Sequence, residues 1–89
     1  MKNHLFSLSK FCTNNVINDR LTTYSIINHL IDLFKSDFFV VISFKDIKAI
    51  DNETLSAINN LTQENKHKFI YMYVNELENK HLLYYPISK

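Results

Sequence analysis

DFFVVISFKDIKAIDNETLSAI, from Asp37 to Ile58, is the stretch of sequence that decides the fold. Phe38–Phe44 is short, rich in β-branched and aromatic residues and apolar at nearly every position, which is typical of a central strand covered on both faces. A polar loop follows, and Asp51 or Asn52 then provides a cap for a helix that buries Leu55. The stretch therefore predicts a buried strand, a loop and an amphipathic helix.

The flanking segments predict more strands and helices. Weak alternation over Lys2–Leu8 indicates an edge strand, and Phe69–Val74 has the composition of a second strong strand. Asp19–Lys35 has helical periodicity, with Asn18 or Asp19 as its N-cap. Its apolar stripe consists of Tyr24, Ile27, Leu30, Ile31 and Phe34.

A short third helix is predicted after the last strand. Asn75 and Glu78 have the spacing of a capping pair, Leu77 would face the core and Pro86 would end the helix. The predicted order is β-α-β-α-β-α. Since each helix can connect parallel strands, this order indicates an α/β domain with a small, mainly parallel sheet flanked by helices.

The bulk composition restricts the class of protein. With 89 residues and 46% hydrophobic content, residues 1–89 are expected to form one small domain with a packed core. The net charge of +1 lacks the basic excess of most nucleic-acid binders. A single cysteine, Cys12, and no apolar run of membrane-spanning length predict a cytoplasmic protein without a disulfide.

The chain contains no glycine. This excludes glycine-built phosphate loops and dinucleotide fingerprints, so no cofactor is predicted. Turns that need a positive φ must use asparagine or aspartate, and Asn14-Asn15 and Asn59-Asn60 are candidates. The four histidines form no metal-ligand pattern, and no nucleophile and base or paired acid and base can be identified, so neither a metal site nor an enzyme is predicted.

The segment Val40–Ile58 resembles the core of STAS domains, the fold of anti-sigma-factor antagonists. Val40, Val41 and Ile42 match the family's aliphatic strand, Ile50-Asp51 matches its pre-helix pair, and Leu55 matches the helix face. The resemblance covers about two thirds of the chain. It implies a non-enzymatic regulatory module whose partner is a kinase-like ATPase or another regulatory protein.

The resemblance fails at the residues that would make a phosphorylation switch. Asn52-Glu53-Thr54 stands where the family has Ser-Ser-Gly, so Glu53 falls on the serine that a partner kinase phosphorylates. A glutamate imitates the charge of phosphoserine only in part. Thr54 and Ser56 are nearby hydroxyls at non-matching positions and are weak candidates for phosphorylation.

The predicted partner-binding surface is the loop after the central strand and the first turn of the next helix. Its acidic corner, formed by Asp46, Asp51 and Glu53, would meet a basic patch on the partner. Asp51, Asn52 and Glu53 are explained at least as well by helix capping and the helix dipole, and the two interpretations are compatible. The full set is Lys45, Asp46, Asp51, Asn52, Glu53, Thr54 and Ser56.

Three alternatives remain open from the sequence. The chain could be a small inhibitor, encoded by a phage or mobile element, that blocks a host protein machine. A weaker alternative is a single-stranded RNA binder that uses Lys66, Lys68 and the tyrosines of the last strand. The apolar group Leu82–Tyr85 could either close the core or leave an apolar patch that pairs with another chain, in a homodimer or with a different protein.

Overall fold

The computed structural model describes residues 2–84 of the chain. Two α-helices, α1 and α2, lie among five strands, with a short 3₁₀ helix near each end of the described range. The elements are β1 Lys2–Ser7, a 3₁₀ helix Leu8–Phe11, β2 Val16–Ile17, α1 Arg20–Lys35, β3 Phe38–Ser43, β4 Ala49–Ile50, α2 Asn52–Gln63, β5 Phe69–Met72 and a 3₁₀ helix Lys80–Leu82. The predicted α/β class is confirmed.

The main sheet is parallel, with β3 in the centre. Its strand order is β1-β3-β5, and in its middle row Val41 pairs with Leu5 on one side and with Ile70 on the other. A second, two-stranded parallel sheet joins β2 to β4, directly before the two helices. The sequence did not predict these two-residue strands, because they are too short to show alternation.

Helix α1 begins at the predicted cap and buries Leu30 and Phe34 of the predicted stripe, but not all of its members. A carboxylate oxygen of Asp19 accepts the backbone N–H of Thr22 at 3.1 Å. The fully buried positions of α1 include Ile26 and Leu30, whereas Tyr24 is 62% exposed. The prediction that Tyr24 belongs to the buried stripe is wrong, because the helix is rotated so that Ile26 faces the sheet.

Within residues 2–84, only one face of the main sheet is covered. Val40 and Ile42 of β3 are fully buried, but on the other face Leu5 is 64% exposed and Ile70 is 44% exposed. The prediction of cover on both faces is therefore wrong. The reason is topological: both crossovers step in the same direction across the sheet, and right-handed crossovers then place both helices on the same face.

The chain has no glycine, and among residues 2–84 five other residues adopt a positive φ, at turns and strand ends. They are Asn15, Asp37, Asp46, His67 and Tyr73. Asparagine and aspartate reach this region at low cost, which agrees with the expectation for Asn15. The other predicted pair, Asn59-Asn60, lies inside α2 instead.

The segment after β5 closes the core without forming an α-helix. Its last helical element is the single 3₁₀ turn Lys80–Leu82, so the predicted capping pair of Asn75 and Glu78 is wrong. Leu83 is buried, and the backbone N–H of Tyr84 donates to Oδ1 of Asn59 at 2.7 Å. Pro86 and Tyr85 lie outside the described residues.

We predict that Ile26→Ala lowers the free energy of unfolding by about 2–5 kcal/mol, because it leaves a cavity in the core. The control Tyr24→Ala, two residues away on the same helix, should change it by no more than about 0.5 kcal/mol. Denaturant unfolding of the two variants measures both values. A larger loss at Tyr24 would contradict the orientation of α1.

Candidate functional site

The loop after β3 is held by the buried side chains of Phe44 and Ile47 and displays three exposed charged residues, Lys45, Asp46 and Lys48. Ile47 is buried, and its N–H donates to the carbonyl oxygen of Phe44 at 3.1 Å. Lys45 and Asp46 are exposed at the tip of this turn. Ser43 is buried, and its hydroxyl accepts the N–H of Lys45 at 3.3 Å, so Ser43 has a structural role.

An open cleft of about 600 Å³ lies beside this loop, at the carboxyl ends of β3 and β5. We call it the strand-exit cleft. Tyr73 is 55% exposed on its wall, and Nζ of Lys45 lies 5.8 Å from the centroid of the Tyr73 ring, within the range of a cation–π contact. The cleft is lined by Asn15, Phe44, Lys45, Asp46, Ile47, Lys48, Tyr73, Asn75 and Glu76.

Two of the predicted site residues at the start of α2 have structural roles. A carboxylate oxygen of Asp51 accepts the N–H of Thr54 at 3.0 Å, which confirms Asp51 as the N-cap. Thr54 is fully buried, and its hydroxyl forms a hydrogen bond with the hydroxyl of Thr23 on α1. Since this bond joins the first turns of both helices, Thr54 contributes to packing and presents no surface to a partner.

Glu53 lies next to the cap residue Asp51, but it lines a second cleft and not the strand-exit cleft. It is exposed in the first turn of α2 and lines a cleft of about 510 Å³ between the N-termini of the two helices. The other lining residues are Asn18, Arg20, Thr23, Tyr24 and Asp51. A negative charge in the first turn of a helix is also favourable toward the helix dipole.

Asn52 and Ser56 complete the predicted set. Nδ2 of Asn79 donates to Oδ1 of Asn52 at 2.7 Å and to the carbonyl oxygen of Ile50 at 3.0 Å, which ties the C-terminal segment to the start of α2. Ser56 is half-buried on α2. The predicted site thus divides into a loop tip at the strand-exit cleft, an exposed Glu53 at another cleft, and capping or packing residues between them.

The acidic side chains of this region differ in how their charge is used. Among residues 2–84 the only ion pair joins Nζ of Lys68 to Asp37 at 3.3 Å, far from the acidic corner in sequence. Asp46 and Glu53 are therefore exposed carboxylates outside any ion pair of the described chain. Asp51, in contrast, uses its carboxylate as the helix cap.

Asp19, the N-cap of α1, has a shifted pKa. Hydrogen bonds from Thr22, first from its side chain and then from its backbone N–H, lower the pKa of Asp19 from the ordinary value of 3.8. These bonds favour the ionised carboxylate. The cap therefore stabilises the fold most when Asp19 is charged.

Further observations on residues 2–84 bear on the function. No group of three histidine, cysteine, aspartate or glutamate side chains within residues 2–84 could hold a metal ion. Within the same range, neither helix has the length and apolar character needed to cross a membrane. Of the two tyrosines on which the RNA alternative depends, Tyr71 is buried in the core, whereas Tyr73 is 55% exposed.

Comparison of the chain with protein-family models, with curated proteins and with solved structures finds no match. The resemblance of Val40–Ile58 to STAS domains thus remains a prediction from the sequence.

The residues that follow β5 were missed by the sequence analysis. Tyr73, Asn75 and Glu76 join the loop after β3 because carboxyl ends of neighbouring parallel strands meet at one edge of a sheet. The predicted order, in which one helix joins the two strong strands as parallel strands, was a signal that could have found them. The positive φ of Tyr73, 61°, has no such signal in the sequence.

We predict that the contribution of Asp19 to stability depends on pH. The folded-state pKa lies below the unfolded one, so the contribution is present above the unfolded pKa and is lost as pH falls through the folded pKa. The melting temperatures of wild type and Asp19→Asn should therefore converge as the solution is acidified. A difference that stays constant from neutral to strongly acidic pH would contradict this.

The burial of Thr54 gives a second prediction for this region. Thr54→Glu should lower the free energy of unfolding by roughly 3 kcal/mol or more, because it buries an unpaired charge. Ser56→Glu, two residues further along the same helix, should cost less than about 1 kcal/mol. Thermal and denaturant unfolding measure both; equal losses would show that Thr54 is accessible for modification.

Proposed function

We propose that this chain is a non-enzymatic regulatory module that binds a protein partner through the loop after β3 and the first turn of α2. The observation that supports this most is the state of Asp46 and Glu53. Both carboxylates are exposed and outside any ion pair of residues 2–84. Two such charges on anchored backbone can complement a basic patch without first breaking internal contacts.

The anchoring of this surface supports the same proposal. Buried Ile47 fixes the loop, and the Asp51 cap fixes the first turn of α2. A surface that is already ordered loses little conformational entropy when a partner binds. Lys45, stacked over Tyr73, and the amide of Asn52 would form the polar margin of the contact.

The STAS resemblance gives the proposed partner a chemical class. Glu53 matches the serine that a kinase-like ATPase phosphorylates in that family, and its carboxylate supplies part of that charge permanently. The proposed partner is therefore a kinase-like ATPase or a related regulatory protein with a basic surface. With a single free cysteine and no disulfide among residues 2–84, we propose that the module acts in the cytoplasm.

We predict that Glu53→Lys lowers the affinity for such a partner by roughly tenfold, the equivalent of about 1.4 kcal/mol. The change reverses a charge in the contact, while the weaker interaction with the helix dipole should cost only about 0.3–1 kcal/mol of folding stability. Affinity capture of the tagged chain from its own cell lysate, with each retained protein quantified by mass spectrometry, tests this.

The matched control is Glu64→Lys, which makes the same charge change at the exposed C-cap of the same helix. A genuine partner should be retained by wild type and by Glu64→Lys and reduced with Glu53→Lys. Equal retention by all three proteins would refute the assignment of this surface. Loss with both variants would indicate a response to net charge alone and would also refute it.

A further inference from the structure

A further cleft lies beside the start of α2, where β4 and the segment after β5 meet. Its volume is about 290 Å³. We call it the amide cleft, because the side-chain amides of Asn52 and Asn79 both line it. The residues that matter for its chemistry are Lys48, Ile50, Asn52, Leu77, Glu78 and Asn79.

The two amides are bonded to each other in one orientation. Nδ2 of Asn79 carries two hydrogens and donates to Oδ1 of Asn52 at 2.7 Å and to the carbonyl oxygen of Ile50 at 3.0 Å. Within residues 2–84, neither Oδ1 of Asn79 nor Nδ2 of Asn52 has a hydrogen-bond partner. Asn52 is exposed, and Oδ1 of Asn79 is open to solvent, since this range contains no buried side-chain oxygen without a partner. The cleft therefore presents one free acceptor oxygen beside one free NH₂ group.

An acceptor beside an amide donor is complementary to another carboxamide. In an extended polypeptide, one residue turns its N–H and its C=O to the same side, as the paired residues of a sheet do. The side chain of asparagine or glutamine offers an NH₂ and a C=O in the same way. In either case the ligand's N–H would donate to Oδ1 of Asn79, and its C=O would accept from Nδ2 of Asn52.

Both amides are held on packed backbone. Leu77, close to Asn79 in the same segment, is buried, and so is Ile50, whose carbonyl oxygen accepts from Asn79. Asn52 is the first residue of α2, directly after the Asp51 cap. Groups that are already positioned lose little conformational entropy when a ligand binds. The amide cleft is therefore ordered before any ligand arrives.

The charges around the amide cleft favour a polypeptide over a nucleic acid. The edges of nucleobases also carry donors beside acceptors, but every nucleotide adds a phosphate. Glu78 lines the cleft, and Asp51 and Glu53 flank Asn52 in the sequence. Three carboxylates stand against one cation, Lys48, so a phosphate would be repelled. A carboxamide carries no charge and meets no such repulsion.

We propose that the amide cleft binds a carboxamide of the protein partner, supplied by the main chain of an extended segment or by an asparagine or glutamine side chain. Asn52 is the donor and Asn79 is the acceptor of this contact. The inference deepens the proposed function and rests on it, because Asn52 belongs to the same surface as Glu53. It adds that the partner contributes an uncharged amide beside its basic patch.

Asn52→Asp separates this inference from an effect of charge. Aspartate has nearly the shape of asparagine and keeps an oxygen that accepts from Nδ2 of Asn79. Its carboxylate is also favourable toward the helix dipole, so folding stability should not fall. If a basic patch were the whole contact, the added negative charge would strengthen binding. With a carboxamide in the cleft, two acceptor oxygens would face each other, and affinity should fall roughly tenfold.

The probes are peptides selected on the purified chain from a random library displayed on phage. Fluorescence anisotropy gives their dissociation constants with wild type, Asn52→Asp and Asn60→Asp. Asn60→Asp is the matched control, since it makes the same substitution at an exposed position further along α2, outside the cleft lining. We predict roughly tenfold weaker binding to Asn52→Asp and less than about a twofold change with Asn60→Asp.

Two changes in the peptide distinguish the sources of the carboxamide. An ester in place of one peptide bond removes a main-chain N–H, and alanine in place of asparagine or glutamine removes a side-chain amide. The change that weakens binding to wild type identifies the group in the cleft. If neither change weakens binding, no carboxamide fills the cleft and the proposal is overturned.

Three other results would overturn the proposal. Peptides may bind Asn52→Asp as tightly as wild type; if they still lose affinity with Glu53→Lys, the proposed function stands without this contact. A library that yields no peptide bound at millimolar concentration would also refute the cleft, whereas the proposed function is decided by the lysate capture. A fluorescent single-stranded RNA should not bind, and binding that Asn52→Asp removes would assign the cleft to nucleic acid.

Discussion

The parallel pairing of β3 with a strand on each side is the constraint on which the rest of the structure depends. Phe38–Ser43 pairs on both of its edges, and β1 and β5 both run in the same direction as β3. Parallel neighbours cannot be joined by a hairpin, and each connection must cross the sheet. The two helices, their position on one face and the exposure of the other face all follow from that requirement.

The same pairing brings the functional candidates together. Because all three strands point the same way, the loop after β3 and the segment after β5 leave the sheet at one edge and form the strand-exit cleft. The two-residue strands β2 and β4 then align the starts of α1 and α2, where Thr23 and Thr54 make contact. The strand order of the main sheet thus determines both where the candidate surface lies and where the core lies.

Sequence patterns predicted those elements whose signal is local. The apolar run of β3, the caps Asp19 and Asp51, and the exposure of Asp46 and Glu53 follow from a few neighbouring residues. The face on which helices pack is different, because it depends on crossover direction and not on composition. For this reason the sequence predicted that the apolar middle row of the sheet is covered on both faces. It also predicted that Tyr24 is buried, because apolar residues occur on more than one side of α1 and the pattern alone does not show which side faces the sheet.

A strained residue at the edge of the main sheet borders the proposed surface. Tyr73 holds a positive φ of 61°, which costs a bulky residue roughly 1 kcal/mol or more. The centroid of its ring lies 5.8 Å from Nζ of Lys45, in the loop that we propose for partner binding. The backbone that follows β5 thus places an aromatic ring beside a charge of the loop after β3, so the pairing of β3 with β5 determines the composition of the proposed contact as well as its position.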